Sequence, residues 1–537
     1  MPALRVPLHA PIQWPGHVLD KARSVTVDDI RSRFGVWELS LVGVLLLAVV
    51  LRLINLGHSY WGDEDYTVTL LRESPIYMFY HGIATSESTP PLYYVMASIW
   101  SLVLGTTEVA VRSLIALIGV ATVAVGYALG LELRSRRAGL ILAAFVAMSP
   151  LMVWYSQDAR AYVLVILLTS VGLLFFAQAL RTESSKSIWL WAFASAAALT
   201  AHYFAIFLVV PEAIALLLPR ATRSRAVKPT LVVAAIWVAL LPLLLYQSLQ
   251  ANRQAWITWL GLAERLKMTL QFFETSSWDV SFLVLAAITA LIAAVIGFAF
   301  VAHRIGRREL LILVVGASGI LVPVVGSFIG FDYVNYQNLL VAWMPFAAVL
   351  AVALASLRRV GAVLAVVLGG LALGATVKVQ ATPALHRPDW RLAAKTLSDQ
   401  PANTLVVVYP EADVPALKWY DHDLTVINSG GPYVWPPSDL NHPPAAVQTR
   451  RIVLLAEDPW VYSGAHSLVL HAPAGFHQIR KRFLSTFVLV TYSARQAIPI
   501  AVNRLASMRA SGDLLATTPW VSSVLFDRPP PTRNASG

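Results

Sequence analysis

Long apolar runs recur along this chain, and they constrain its fold more than any other feature. The first, VWELSLVGVLLLAVVLRLINL, begins at residue 36. Apolar runs of about 20 residues are long enough to cross a bilayer as α-helices. Mean hydropathy is +0.63 over all 537 residues, too high for a soluble protein of this length. The sequence therefore predicts a polytopic α-helical membrane protein with eleven spans, near residues 37–56, 109–133, 138–156, 161–180, 188–201, 202–219, 230–247, 280–302, 310–330, 338–357 and 360–377.

Basic residues give the expected orientation of these spans. Lys and Arg are enriched in cytoplasmic loops of membrane proteins. Here they cluster on every second connection, and the N-terminal arm 1–36 is on the same side; the clusters are at 134–137, 181–186, 220–228, 303–308 and 358–359. This explains the net charge of +11 without nucleic acid. We expect a cytoplasmic N-terminus without a cleavable signal peptide, and a C-terminal segment outside the membrane.

One short apolar segment does not fit as a span. PPLYYVMASIWSLVLG, at 90–105, would reverse the side of every later basic loop if it crossed the membrane. We interpret it as an interfacial or re-entrant helix, whose double proline suits a helix start. Residues 57–108 then form one long external loop within a membrane domain at 37–378.

The composition changes after residue 378. Helix-like and strand-like patterns alternate there, as in DWRLAAKTL, TLVVVYP, RIVLLAE and FVLVTYS. We predict a small external α/β domain at 379–495 and a loosely ordered tail at 496–537. The chain has no cysteine, which excludes disulfides and thiolate metal sites.

Three acids stand together in WGDED, just after the first apolar run: Asp63, Glu64 and Asp65. One interpretation is a solvated acidic loop. The other follows from Tyr60 and Trp61, because such aromatic residues anchor a chain at the membrane interface. Carboxylates held at that depth are candidates for a general base.

A second polar motif, WYSQDARAY, lies at the external end of two predicted spans. It contains Gln157, Asp158, Arg160 and Tyr162. It is either a short polar turn or part of a site. In the second case the guanidinium of Arg160 binds a phosphate, as this group does well.

Other polar residues lie at external ends of spans and have two interpretations each. His202 in TAHYF is either a site residue or an ordinary polar residue at a helix end. Arg112 either extends to the interface or adds positive charge for a lipid phosphate. Gln337 belongs to the external loop 331–340. Whether Asp63, Asp158 and His202 hold a divalent metal stays an open question, because the sequence has no motif with the spacing of known metal ligands.

The order of these motifs resembles the C-class glycosyltransferase superfamily over about residues 40–380. It is most similar to the branch that contains protein O-mannosyltransferases and lipid A aminoarabinose transferases. WGDED and YSQDARAY are fairly specific motifs, whereas PPLYY alone is weak. The resemblance implies that Asp63 is the catalytic base and Glu64 the second acid. It also implies that Asp158 and Arg160 are the acidic and the basic residue of the family's second motif.

Two positions depart from the family pattern. Relatives often have His before the double proline, where this chain has Thr89. They also often have Arg in the loop before the tenth span, where Gln337 stands here. Phosphate binding is then expected to depend more on Arg160, with Arg112 as a further candidate.

The resemblance implies an inverting transfer of a monosaccharide, of mannose or arabinose type, from a polyprenyl-phosphate donor. The acceptor is a hydroxyl of a cell-envelope glycan, a lipoglycan or a protein outside the membrane. No cofactor beyond the open metal is implied. The expected location is the plasma membrane in a bacterium or the endoplasmic reticulum in a eukaryote.

Three other hypotheses remain. A lipid-linked-oligosaccharide ligase would use a diphosphate donor and should carry more external Arg. A transporter or flippase should place ionisable residues near the middle of its spans, whereas most of these cluster at external ends here. The departure at Gln337 also leaves a catalytically inactive relative open.

Overall fold

The computed structural model describes part of the chain: residues 35–249, 257–258, 260–277, 280–401, 404–409, 414–421, 425–429, 446–457, 469–470, 474–484, 486–501, 510–511 and 524–527. Residues 1–34 of the N-terminal arm and the last ten residues lie outside this part.

Helices dominate as far as Ala381, and those of six or more residues define the architecture. In chain order they are α1 (Val36–Leu53), α2 (Gly62–Arg72), α3 (Leu92–Leu104), α4 (Glu108–Leu133), α5 (Arg136–Met148), α6 (Pro150–Tyr155), α7 (Tyr162–Thr182), α8 (Ser185–Ala201), α9 (Ile206–Leu217), α10 (Arg220–Leu249), α11 (Leu262–Glu274), α12 (Phe282–Val301), α13 (Arg307–Ser327), α14 (Trp343–Ser356) and α15 (Arg358–Ala381).

Ten of the eleven predicted spans each overlap one of these helices, and the span at 138–156 overlaps two. Within the described residues, seven helices are long and apolar enough to cross a membrane alone: α1, α4, α7, α10, α12, α13 and α15. The helices at the other predicted spans are shorter. One of these spans breaks into α5 and α6 at Pro150, whose preset backbone begins a new helix. The prediction of a multi-pass membrane protein is confirmed.

The segment between α1 and α4 contains only short helices. α3 has 13 residues, so at 1.5 Å per residue it is about 20 Å long. A bilayer core is about 30 Å thick. α3 alone is shorter than this core and ends at Gly105, whereas the equally short α5, α9 and α14 each adjoin a further helical turn. This is consistent with the interfacial helix that the sequence predicts.

The C-terminal part is a sheet with two helices on one face. The helices are α16 (Trp390–Ser398) and α17 (Val414–Tyr420). The strands are β1 (Thr404–Tyr409), β2 (Thr425–Ser429), β3 (Ala446–Glu457), β4 (Val469–Leu470), β5 (His477–Leu484), β6 (Phe487–Ala501), β7 (Ala510–Ser511) and β8 (Val524–Asp527).

Six strands form a mixed sheet in the order β2-β8-β1-β3-β6-β5, and β4 pairs with β7. β1 and β3 are parallel, with Thr404 opposite Arg451. Trp390 and Leu417 from the two helices pack on Val453 and Leu489 of the sheet. The predicted α/β region is confirmed. β8, from the segment expected to be a tail, lies inside the sheet.

This C-terminal layer docks on the chain just before α2. The hydroxyl of Tyr420 accepts a hydrogen bond from the Tyr60 amide at 2.6 Å and donates to Glu108 at 2.6 Å. Trp61 packs on the apolar cluster between α16 and the sheet. The WGDED segment thus lies between the membrane helices and the C-terminal layer.

Candidate active site

WGDED forms the start of α2. Trp61 is the last residue before the helix, and Asp63, Glu64 and Asp65 occupy its first turn. Acids are stabilised there by the helix dipole. Because an α-helix has 3.6 residues per turn, the three neighbouring side chains point in different directions. The side chains of Asp63 and Glu64 therefore have different surroundings.

Glu64 is fully buried against Arg112 of α4. The Arg112 Nε donates to Glu64 Oε1 at 2.8 Å, and Nη2 contacts Oε2. The remaining N–H groups of Arg112 donate to the carbonyls of Leu56, His58 and Ser59 at 2.9, 2.5 and 2.9 Å. All five donors of the guanidinium are used inside the protein. This leaves Arg112 no N–H for a lipid phosphate.

Glu64 also connects α2 to the second motif. Its Oε1 accepts a hydrogen bond from the amide of Ala159 at 2.7 Å. Ala159 lies in the turn between α6 and α7, which carries Asp158 and Arg160. The structure thus brings WGDED and YSQDARAY together.

Asp158 is the buried acid of that turn. Its Oδ1 accepts a hydrogen bond from the indole of Trp61 at 3.4 Å, and its Oδ2 lies 3.5 Å from a guanidinium nitrogen of Arg387. Burial raises the pKa of Asp158 to about 7, and the charge of Arg387 opposes that shift. This group is therefore suited to hold or release a proton near neutral pH.

Arg160 is held by an acid that the sequence analysis did not single out, Glu87. The Nη1 of Arg160 donates to the two carboxyl oxygens of Glu87 at 3.0 and 2.8 Å. It also donates to the Asp63 carbonyl at 3.2 Å and the Thr67 hydroxyl at 3.3 Å. Burial raises the pKa of Glu87, and the charge of Arg160 opposes that. Within the described residues, Nε and Nη2 of Arg160 make no hydrogen bond.

Asp63 differs from the other acids of the site. Its side chain is partly exposed. In the part of the chain that the structure describes, its carboxylate has no hydrogen-bond or ion-pair partner, although Arg160 binds its backbone carbonyl. Glu64 and Glu87 each face an arginine. Asp63 is thus available to a ligand while the neighbouring carboxylates are occupied.

Tyr162 and His202 lie next to this group. The Tyr162 ring packs edge-on against Tyr155 with 4.9 Å between centroids, and 5.9 Å separate it from the His202 ring. His202 is buried, and its Nδ1 accepts a hydrogen bond from the Phe204 amide at 3.3 Å. Both side chains are close enough to the Arg160 guanidinium for its charge to act on them.

Gln157 has a bridging role between helix ends. Its Nε2 donates to the carbonyls of Leu51 and Ile54, at 3.1 and 2.5 Å. Its Oε1 accepts from Gln380 of α15 at 2.9 Å. Gln157 thus ties the ends of α1 and α15 together, which fixes the turn that carries Asp158.

Gln337 lies in a loop that another arginine holds. Arg265 of α11 pairs with Asp332 at 2.7 Å and donates to the Val334 carbonyl at 2.9 Å. The Tyr336 ring stacks on Phe272 with 3.9 Å between centroids. Gln337 is half-buried and makes no hydrogen bond within the described residues. The loop approaches the site through Tyr336 rather than through a cation.

The three metal candidates do not form a ligand set. Among the described residues, no group of three or more His, Asp or Glu side chains is arranged to hold a metal ion. Asp158 instead meets Trp61 and Arg387, and His202 meets aromatic rings.

Comparisons with known proteins agree with this architecture. Residues 88–246, less than a third of the chain, match the family described as dolichyl-phosphate-mannose-protein mannosyltransferase. That segment contains PPLYY and YSQDARAY but not WGDED. A comparison with curated protein sequences gives no match.

One solved structure shares the fold at low identity, and two others align less closely. ArnT of Cupriavidus metallidurans, in the apo state, aligns with a TM-score of 0.50 and 13% identity over 85% of this chain and 97% of ArnT. ArnT bound to undecaprenyl phosphate aligns with a TM-score of 0.46 and 15% identity, over 84% of this chain and 97% of ArnT. An Archaeoglobus fulgidus oligosaccharyltransferase aligns with a TM-score of 0.43 and 14% identity over 71% of this chain. This chain spans only 61% of that protein's length.

The fold is that of a polytopic membrane protein with the C-class glycosyltransferase architecture, as in ArnT. More particularly, the matched segment carries the mannosyltransferase family pattern. The resemblance that the motifs predict is thereby confirmed.

Proposed function

We propose that the protein is a membrane glycosyltransferase that moves a monosaccharide from a polyprenyl-phosphate donor to an acceptor hydroxyl. The family match and the fold support the reaction class. The observation that carries the proposal is that two groups with unused hydrogen-bonding capacity, the Asp63 carboxylate and the Arg160 guanidinium, lie side by side. The carboxylate of Asp63 has no partner in the described part of the chain, and it adjoins an arginine that keeps two nitrogens free of protein hydrogen bonds.

Asp63 acts as the general base. Its carboxylate takes the proton of the acceptor hydroxyl as that oxygen attacks the anomeric carbon. The bond between the anomeric carbon and the phosphate oxygen breaks on the opposite face, so the configuration inverts and polyprenyl phosphate leaves. General-base assistance of this kind contributes about a hundred- to ten-thousandfold in rate.

Arg160 holds the leaving phosphate. Glu87 and the Asp63 carbonyl fix its Nη1, which leaves Nε and Nη2 to bind phosphate oxygens. Preorganised donors of this type stabilise charge that develops in the transition state. Glu87 is therefore proposed as a residue that orients Arg160, and Glu64 as one that ties α2 to the catalytic turn.

The site lies at the ends of long apolar helices, where a polyprenyl tail can stay in the bilayer while its head group meets Asp63 and Arg160. We propose a donor sugar of mannose or arabinose type. The acceptor is a cell-envelope glycan, lipoglycan or protein. The N-terminus is cytoplasmic, and the site and C-terminal layer face the opposite side of the plasma membrane of a bacterium.

The test is sugar transfer by the purified protein in lipid vesicles, with a panel of radiolabelled polyprenyl-phosphate sugars and envelope extracts as acceptor. We expect transfer from one donor, with a product of inverted anomeric configuration. Transfer with retained configuration, or none from any donor by folded protein, would contradict the proposal.

A further inference from the structure

A short segment after the last membrane helix touches both halves of the candidate site. We name residues 386–390, HRPDW, the strap; it joins α15 to α16. It lies at the start of the predicted C-terminal domain, and no sequence motif assigns it a role. Its contacts are with the loop before α2 on one side and with the turn before α7 on the other.

On the first side the strap binds Ser59. The Ser59 hydroxyl donates to the Pro388 carbonyl at 3.1 Å and accepts from the Trp390 amide at 3.0 Å. The His386 ring packs edge-on against His58, with 4.7 Å between centroids. Asp63 follows Ser59 by four positions, so these bonds fix the approach of the chain to the proposed base.

On the second side the strap inserts Arg387 into the turn. Its Nη1 donates to the Gln157 carbonyl and its Nη2 to the Trp154 carbonyl, both at 3.0 Å. The guanidinium lies 4.4 Å from the centre of the Trp154 ring and 5.5 Å from that of Trp61. The Arg387 side chain is only 9% exposed. Two carbonyls, two rings and one carboxylate thus define its position.

Asp158 is the carboxylate in that set. Its side chain has no solvent exposure, and Arg387 is its ion-pair partner at 3.5 Å. In the described residues no other cation forms an ion pair with Asp158, because Arg160 is directed to Glu87 and Arg112 to Glu64. A buried carboxylate without a compensating charge is strongly unfavourable. The turn can therefore keep this conformation with Asp158 ionised only while Arg387 is in place.

We propose that the strap couples the C-terminal layer to catalysis, and that Arg387 is a positioning residue. Arg387 holds the Asp158 turn so that Arg160, two residues later, faces the donor phosphate; Arg387 itself does not touch the donor. This inference rests on the proposed function. It assigns to the C-terminal layer the task of completing the site, beyond any binding of acceptor.

The test compares steady-state sugar transfer by wild type, Arg387→Ala, Arg387→Lys and Arg480→Ala. Arg480→Ala is the matched control, an exposed arginine on β5 far along the chain from the strap. We expect Arg387→Ala to lower kcat at least tenfold with less than threefold change in KM for the donor. Lys keeps the charge, so Arg387→Lys should recover part of kcat. Arg480→Ala should match wild type.

A second measurement separates positioning from folding. The melting midpoints of wild type, Arg387→Ala, Asp158→Asn and the double variant form a cycle that needs no substrate. We expect the double variant to be less destabilised than the sum of the two single changes. Unchanged kcat in Arg387→Ala, a rise in donor KM alone, or additive midpoints would each overturn the inference. Absence of transfer by wild type would instead refute the proposed function, while the cycle would still decide whether Arg387 holds Asp158.

Discussion

The acids of the site differ in what compensates their charge. Glu64 and Glu87 each face an arginine, whereas Asp63 has none in the described part of the chain. This division follows from burial. A fully buried carboxylate needs a cation and hydrogen bonds, while a partly exposed one is satisfied by water until a substrate arrives. The adjacent acids Asp63 and Glu64 thus have separate tasks.

The pair of Arg112 and Glu64 should dominate local stability. Arg112→Met leaves a fully buried carboxylate without its cation, and such changes cost about 3–5 kcal/mol. We expect a large fall in the melting midpoint of the protein in detergent, measured by intrinsic fluorescence. The exposed pair Lys267–Glu264, at 2.9 Å, is the control. Lys267→Ala should cost less than about 1 kcal/mol, and equal effects of the two variants would refute the account.

The sequence reveals some of these residues and conceals others. WGDED and YSQDARAY stand out because charge is rare in this chain. Glu87 does not stand out, because its role depends on an ion pair with Arg160, which is 73 positions away in the sequence. Arg387 was hidden for the same reason, since its partners Gln157 and Trp154 lie more than 200 positions before it. Local sequence patterns do not reveal contacts between residues so far apart in the chain.

At the scale of elements, hydropathy located the spans well and their ends less well. The long apolar helices satisfy their backbone hydrogen bonds internally, so composition alone predicts them. The ends depend on packing. α9, for example, starts only after a short helical turn that follows His202, whose ring accepts a bond from the Phe204 amide. No hydropathy average contains that information.

The contact between α11 and α12 predicts a pH effect. The Thr289 hydroxyl donates to Glu274 at 2.5 Å, and burial raises the pKa of Glu274 from 4.5 to about 7. The folded state therefore favours the protonated acid. Its contribution to stability is complete below about pH 4.5 and is lost as the pH rises through about 7.

Glu274→Gln removes this titration. We expect the melting midpoint of the variant, relative to that of wild type, to rise between pH 5 and pH 8. Glu264→Gln, an exposed acid on the same helix, serves as the control and should show no such gain. A constant difference between Glu274→Gln and wild type over this range would contradict the assignment.

At the scale of the whole molecule, the C-terminal layer is attached to the site rather than separate from it. Tyr420, Trp390 and Arg387 all bind the chain near α2 or the catalytic turn. The sequence predicted the α/β pattern of this layer, but not its docking, which depends on complementary surfaces formed by both parts.

The proposed orientation can be tested because the chain has no cysteine. Lys186→Cys lies on a basic connection expected in the cytoplasm, and Asp399→Cys follows α16 on the opposite side. Both positions are exposed. In intact cells a membrane-impermeant maleimide should label Asp399→Cys and not Lys186→Cys, with both labelled after lysis. The reverse pattern would invert the topology and the side on which sugar is transferred.

The central claim is that Asp63 is the base of a lipid-dependent sugar transfer. Its most direct test is the rate of transfer by Asp63→Asn from the donor that wild type uses. Glu73→Gln, an exposed acid just after α2, is the matched control. We predict a loss of at least a hundredfold in kcat for Asp63→Asn, with its melting midpoint and the control unchanged. An Asp63→Asn protein that transfers sugar at the wild-type rate would contradict the account.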